Sequence, residues 1–367
     1  MMTSFFHTRC VYIISCVLFY LIANSSYAAM TCKNSTGESN DTVTLAGTIT
    51  VGNDLPNGSV VYSQEFYPSK NAEIRCSSKF NLDLLSTLSW APAQIGTDSD
   101  GAPLYETSVP GIAVKFLNNR QPIPARKVGV YFGNAYQWIS LRTRITVQLI
   151  KVGNVTSGMV NAGNFPVVHD VVPLTSGVNG TPLQIRTLQF LGSINVTTGT
   201  CTTPSFSVNL GKHDQSEFTA KGMTTDWIDS SITLTNCPVF YGYWKNWNGV
   251  TGDVFTGGGT LSPVKQDTSN ILEMSFQPVG KILIPSEGVF SLIEDTQQAD
   301  GVGIQLANGY KGQNPIPVNL NSSYSLNVDQ NSGKTIRIPL SARLYQTKDN
   351  VMPGDITGKI IYTISYK

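Results

Sequence analysis

The segment Met352-Pro353-Gly354-Asp355-Ile356-Thr357-Gly358-Lys359-Ile360-Ile361-Tyr362-Thr363-Ile364-Ser365-Tyr366-Lys367 decides the fold. Pro353 and Gly354 spell a turn, because proline pre-sets its own φ and glycine tolerates tight backbone geometry. After the turn, Ile360, Tyr362, Ile364 and Tyr366 alternate with Ile361, Thr363, Ser365 and Lys367. A strand sends successive side chains to opposite faces, so the first set makes one apolar and aromatic face. The chain stops where this strand stops, which predicts a strand at a sheet edge. Ordinary edges are harmless because they are short, twisted or charged. This one is long and carries no charge from Ile360 to Tyr366, and is expected to need a partner.

Working outward, helical periodicity is almost absent, while short alternating runs recur between Gly, Pro, Asn and Asp clusters. The runs Thr42–Val51, Ile112–Leu117, Ile145–Lys151, Ser205–Leu210, Ser231–Leu234 and Ile336–Tyr345 are predicted strands. Their spacing predicts an all-β chain of β-sandwiches. Its length suits two domains, each able to bury a core. The stretch Gly192-Ser193-Ile194-Asn195-Val196-Thr197-Thr198-Gly199-Thr200 is small and polar, and 192–200 is expected to be the linker. The 25 Lys+Arg balance 24 Asp+Glu, so there is no basic field for nucleic acid. Charged residues make up only 13% of the chain, about half the usual share, which suits an exported β-protein with polar faces. Gly257-Gly258-Gly259 lacks a following Gly-Lys-Ser/Thr and reads as a turn, not a phosphate loop.

The N-terminus predicts export. A basic start at Arg9 precedes the apolar run Cys10–Ala23, and Ser26 and Ala28 suit the small positions of a cleavage site. Residues 1–28 are expected to leave as a signal peptide. Cys32, Cys76, Cys201 and Cys237 then remain, an even count that suggests disulfides in an oxidising compartment. Three connectivities are open, and proximity favours Cys32–Cys76 with Cys201–Cys237. Each such closure contributes about 4 kcal/mol on a chain-entropy account. No Cys-x-x-Cys occurs and His169 and His213 stand apart, so no cofactor or metal is expected.

Residues 201–367 resemble the pilin domain of chaperone–usher fimbriae. The resemblance is carried, in order, by Cys201, Phe206-Ser207-Val208-Asn209-Leu210-Gly211, Asn236-Cys237-Pro238, Gly301-Val302-Gly303-Ile304-Gln305-Leu306, Ile338-Pro339-Leu340-Ser341-Ala342-Arg343-Leu344-Tyr345, the Pro353-Gly354 turn and penultimate Tyr366. It implies an incomplete immunoglobulin-like sandwich that lacks its last strand. A periplasmic chaperone, and later a neighbouring fimbrial subunit, would supply a donor strand at an outer-membrane usher. Gly354, Ile360, Tyr362, Ile364, Tyr366 and Lys367 would form that interface, with the Lys367 carboxylate held by the chaperone. Residues 29–191 resemble the receptor-binding domain of tip adhesins, closest to the type 3 fimbrial adhesin group. Here Asp54-Leu55-Pro56-Asn57-Gly58-Ser59-Val60, Ile74-Arg75-Cys76 and Tyr105–Phe116 carry the match. It implies a second immunoglobulin-like sandwich, an extracellular place at the fimbrium tip, and a host glycan or matrix protein as ligand. A non-adhesive tip adaptor is the competing reading.

Sugar sites pair aromatic platforms with polar hydrogen-bonding groups. Arg120, Arg126, Tyr131, Asn134, Tyr136 and Trp138, between two predicted strands, are the candidate ligand residues. Trp90 with the Asp98-Ser99-Asp100-Gly101 loop is a second candidate, against the competing and weightier readings of Trp138 and Trp90 as core or edge residues and of Asp98 and Asp100 as a plain turn. Trp244 and Trp247 are expected to serve packing or an interdomain contact. Enzyme chemistry is not expected: no Gly-x-Ser-x-Gly or His-Glu-x-x-His is present.

Overall fold

The computed structural model describes residues 29–367 except 91, 142 and 245–266, and the backbone but not the side chains of 125–131. The expected signal peptide 1–28, Trp247 and Gly257–Gly259 lie outside the described residues. Strands carry the architecture. The helical turns are the short 3-10 pieces Ala162–Asn164, Gln215–Glu217 and Pro285–Glu287.

In the N-terminal half one sheet runs Ala125–Gly133, Phe80–Leu88, Val168–Val172, Leu183–Thr197, Gly158–Asn161, with Ser39–Thr50 parallel to Leu183–Thr197. The other runs Val60–Phe66, Ile145–Lys151, Ile112–Asn118, Pro103–Glu106, Gln94–Thr97. Val43, Leu45, Ile49, Leu188, Phe190 and Val196 from the first sheet meet Phe66, Val114, Phe116, Val147 and Leu149 from the second in one core. That is a sandwich built from period-2 alternation. A small sheet, Trp138–Leu141, Ala72–Cys76, Met30–Asn34, Val178–Asn179, closes one flank. Its inner face carries Cys32, Ala72, Ile74, Cys76 and Leu141 into a separate core with Phe80, Leu82 and Leu84.

The C-terminal half sets Ile228–Asp229, Leu340–Gln346, Val302–Asn308, Val289–Ser291 and Ile282–Ile284 in one sheet. Tyr324–Val328, Asn270–Pro278 and Ile360–Tyr366 form another, and Ile232–Leu234 pairs with Ile336–Ile338. The predicted strand Ile336–Tyr345 is broken at Pro339. Proline has no N–H to give a ladder, and the chain there passes from Ile232–Leu234 to Val302–Asn308 as its neighbour. Both disulfides are formed, Cys32–Cys76 and Cys201–Cys237.

Two expectations need correction. Gly192–Thr197, expected as linker, is the end of the strand Leu183–Thr197 and pairs with Leu45–Thr50. Ile194 and Val196 alternate into the core while Asn195 faces out, and that alternation outweighs the polar composition. Only Thr198–Thr200 leaves the ladder before Cys201. Ser205–Leu210, expected as a strand, has no regular structure, and its Phe206 is 47% exposed. Its sequence alternates as a strand does, but no strand among the described residues hydrogen-bonds to it.

Candidate functional site

The edge strand Ile360–Tyr366 pairs antiparallel with Asn270–Pro278, Leu272 facing Tyr366 and Pro278 facing Ile360. Ile360, Tyr362 and Ile364 are half-buried and Tyr366 buried against the C-terminal core, while Ile361 and Thr363 point outward. Tyr366 stacks on Phe240, centroids 6.5 Å apart. The alternation read from the sequence is the alternation the strand adopts. Gly354 is needed for close approach: a Cβ there would stand 2.4 Å from Ala299 N and from Gln298 C. Asp355 donates its N–H to Gln297 O (2.7 Å) and accepts from Ala299 N (3.0 Å), so the turn is sewn to 297–299. At the far end Lys367 extends the ladder by exchanging backbone bonds with Ile271 (2.7 and 2.9 Å), and its ammonium pairs with Glu273. That bond, and one from the Ser323 hydroxyl, hold the Glu273 carboxyl below the usual carboxylate range.

On its other side the strand has no ladder partner among the described residues. A cleft of about 340 Å³ lies there, with Tyr362, Ile364 and Tyr366 on one wall and Thr200, Cys201 and Thr203 on the other. Asp54, from the N-terminal half, closes one end and accepts the Tyr366 N–H at 2.8 Å. Two tyrosines span the cleft with their phenols. Tyr366 accepts from Cys201 N (2.9 Å), and Tyr362 donates to Pro204 O. Paired strands lie about 4.8 Å apart and bond through backbone. Here side chains bridge what backbone does not. Burial raises both phenols; at Tyr366 the Cys201 N–H opposes the rise, and Asp54 and Tyr362 add to it.

The candidate ligand residues are distributed as follows. Arg120 is at a hairpin tip, since Asn119 and Arg120 both have positive φ (46° and 71°) and Asn118 pairs with Gln121. It belongs to the sheet of Ile112–Asn118, not to that of Trp138. Arg126 and Tyr131 lie in the strand Ala125–Gly133, with side chains outside the described residues. Asn134 opens a turn: its N–H bonds Gln137 Oε1 (3.2 Å) and its carbonyl accepts from Gln137 N (3.1 Å). Tyr136 and Trp138 come together on the small flank sheet, 62% and 40% exposed. The residues that join them are ones sequence reasoning passed over. Arg75 Cζ lies 5.3 Å from the Tyr136 ring centroid and 5.1 Å from that of Trp138, with Lys33 Nζ 6.0 Å from Trp138. The usable signal was the Cys32–Cys76 bridge, because it places Lys33 opposite Arg75. In the second candidate, Trp90 is 50% exposed. Asp98 caps its own turn by accepting from Asp100 N and Ala102 N, and pairs with Lys115. Burial opposes ionisation of Asp98, and those bonds outweigh it, holding the carboxyl below its ordinary value.

Two family models match the chain. The one described as fimbrial protein matches residues 188–367, and the MrkD-like receptor binding domain matches residues 42–180. Among solved structures, the CupB6 tip adhesin of Pseudomonas aeruginosa is similar at 13% identity, covering 91% of this chain and 94% of that one, with TM-score 0.34. The receptor binding domain of adhesin MrkD1P of Klebsiella pneumoniae is similar at 17% identity, covering 47% of this chain and 98% of that one, with TM-score 0.32. The chaperone–tip adhesion subunit complex CsuC–CsuE of Acinetobacter baumannii is similar at 12% identity, covering 91% of this chain and 99% of that one, with TM-score 0.24. No curated protein matches the chain.

Proposed function

We propose that this chaperone–usher fimbrial protein, a MrkD-like receptor-binding domain joined to a fimbrial domain, is an extracellular tip adhesin held in its fimbria by a donor strand. The family is one of fimbrial subunits, not enzymes. One observation carries the reading. The segment after Cys201 has the alternation of a strand and no partner. The edge strand Ile360–Tyr366 also has no partner on that side, and a cleft bridged by tyrosine phenols lies between them. An added strand would supply both sides with main-chain bonds and would fill the spaces over Ile360, Tyr362 and Ile364, which is β-augmentation. Gly354 and Lys367 fix the two ends of that acceptor edge. The donor comes first from a periplasmic chaperone and then from the neighbouring subunit at the usher. A receptor-binding domain standing where a shaft subunit would carry its own donor segment supports the tip position and a host glycan or matrix protein as ligand.

The test is export of the full chain with its chaperone. Ile364→Asp puts a carboxylate on the acceptor face, where an unpaired buried charge is costly. It is expected to abolish chaperone co-purification and surface display, whereas Thr363→Asp, on the outward face, leaves both intact. Equal behaviour of the two variants would overturn the donor-strand reading. Fimbriae that assemble normally but bind neither host cells, glycans nor matrix proteins would identify the chain as an adaptor instead.

A further inference from the structure

Lys33, Arg75 and Trp138 stand directly opposite one another on three neighbouring strands, in one row across the outward face of the flank sheet. Beneath the row the same sheet is fixed by the Cys32–Cys76 bridge and by Ile74, Ile139 and Leu141. Tyr136 is brought to the row by an unusual backbone. Its φ is +60°, its N–H bonds Cys76 O at 2.8 Å, and a bulky residue holds that conformation only against steric cost. The outcome is two exposed rings beside one guanidinium, with a second cation next to them. Arg75 Nε is sealed from solvent and has no hydrogen-bond partner. Neither Arg75 nor Lys33 is paired with a carboxylate among the described residues. Glu73, two positions along the Arg75 strand and on the same face, stands opposite Ser140 and takes the Ser35 hydroxyl at 3.5 Å.

Exposed rings give a flat apolar surface, and a guanidinium held beside them is pre-oriented to receive a planar anion. We propose that Lys33, Arg75, Tyr136 and Trp138 form a binding site for an acidic saccharide. The rings take the apolar face of a pyranose, and the two cations take its carboxylate or sulfate. This rests on the receptor-binding reading of the N-terminal half and names the ligand class for it. The row is too open for deep burial, so binding depends on charge and weakens as salt rises.

The experiment uses the full chain in complex with its chaperone. The probes are a heparin oligosaccharide for sulfate, a hyaluronan oligosaccharide for carboxylate, and a maltooligosaccharide as the neutral control. At least one acidic probe is expected to bind and the neutral one not to. Trp138→Ala and Arg75→Gln are each expected to weaken binding by about tenfold or more, and Lys33→Gln to flatten the salt dependence. Because heparin carries carboxylates as well as sulfates, retention of heparin without hyaluronan assigns recognition to sulfate, and retention of both assigns it to carboxylate. Folding of each variant is checked by circular dichroism and by the intact Cys32–Cys76 bridge. Wild-type affinity in all three variants, binding of the neutral probe alone, or binding of no acidic probe would overturn the site. If attachment to host cells persists in those variants, the adhesin reading stands and this site alone fails. If the unaltered fimbriae attach to nothing, it is the adhesin reading that fails.

Discussion

At the scale of single residues, the most constrained group in the receptor-binding half is Asp170, which has no exposure. It accepts from Arg186 Nε (3.0 Å), Asn118 Nδ2 (2.8 Å), Thr143 Oγ1 (3.0 Å) and the Ser86 hydroxyl. Register assembles part of this network, because Ser86 and Arg186 both stand opposite Asp170 on the flanking strands. The Arg186 charge is 1% exposed, so its compensation comes from this carboxylate and from the Thr143 carbonyl at 3.3 Å. Removing one partner of a buried pair costs more than removing both, since the survivor keeps its desolvation penalty. Asp170→Ala is therefore expected to destabilise the half by roughly 3–5 kcal/mol. The double variant Asp170→Ala with Arg186→Leu should recover a substantial part of that loss. Denaturant midpoints of the chaperone-bound protein check it, and a double variant no better than the single one would show that the pair is not the source of the cost.

At the scale of elements, the segment 203–217 has strand-like alternation in Ser205–Leu210 but no ladder among the described residues, and it ends in the 3-10 turn Gln215–Glu217. His213 ties residues 210–217 of it together. One imidazole nitrogen contacts Leu210 O (2.8 Å) and the other Glu217 Oε2 (3.0 Å), beside a capping box in which Asp214 and Glu217 cap each other's N–H groups. Partial burial lowers the imidazole, but the carbonyl and the carboxylate outweigh it, so its pKa is raised above the ordinary 6.5. A raised pKa means that the tether is fully present below the unfolded value and is lost as pH rises through the folded one. The protection factors of amides in 203–217, with the intrinsic base catalysis of exchange divided out, are expected to fall across that window, and His213→Gln should make them independent of pH. Protection factors that are flat with pH in the native chain would refute the tether. The same segment shows what was legible in the sequence. Ile360–Tyr366 could be read because its alternation and its partner's core agree. Ser205–Leu210 has equal alternation but no partner, and a strand is a property of pairs. The run Gly192–Thr197 was misjudged in the opposite sense, its polar composition hiding the alternation of Ile194 and Val196. Tyr136 and Trp138 could be picked out as candidate ligand residues, though a core or edge place for Trp138 weighed more than exposure, whereas Lys33 and Arg75 could not, because cross-strand register is not written in local sequence.

At the scale of the whole molecule, the two halves are joined by more than the chain. Trp244 of the fimbrial half is 4% exposed and belongs to the core of the receptor-binding half, edge-on to Tyr62 at 5.0 Å. Asn270 bridges the halves by donating to Thr50 O (2.9 Å) while accepting from Gly242 N (2.9 Å). Asp54 and Gly52 extend this junction to the end of the acceptor edge. Asp54 takes the Tyr366 N–H, and Gly52 lies so close that a Cβ would stand 1.9 Å from Tyr366 O. The same loop therefore closes one end of the cleft beside the last strand and joins the receptor-binding half to it, so displacing the loop should be felt at that end of the strand. Gly52→Val tests this without touching the acceptor face. With backbone and not a flexible side chain in the way, the valine must force the loop from the strand and break the Asp54 bond. The expected outcome is faster exchange at the Tyr366 and Ile271 amides and a larger radius of gyration by solution scattering, with the salt dependence of binding at the proposed saccharide site on the flank sheet unaltered. Unchanged exchange at both amides would mean that the loop and the last strand do not meet in solution, and that the halves act independently.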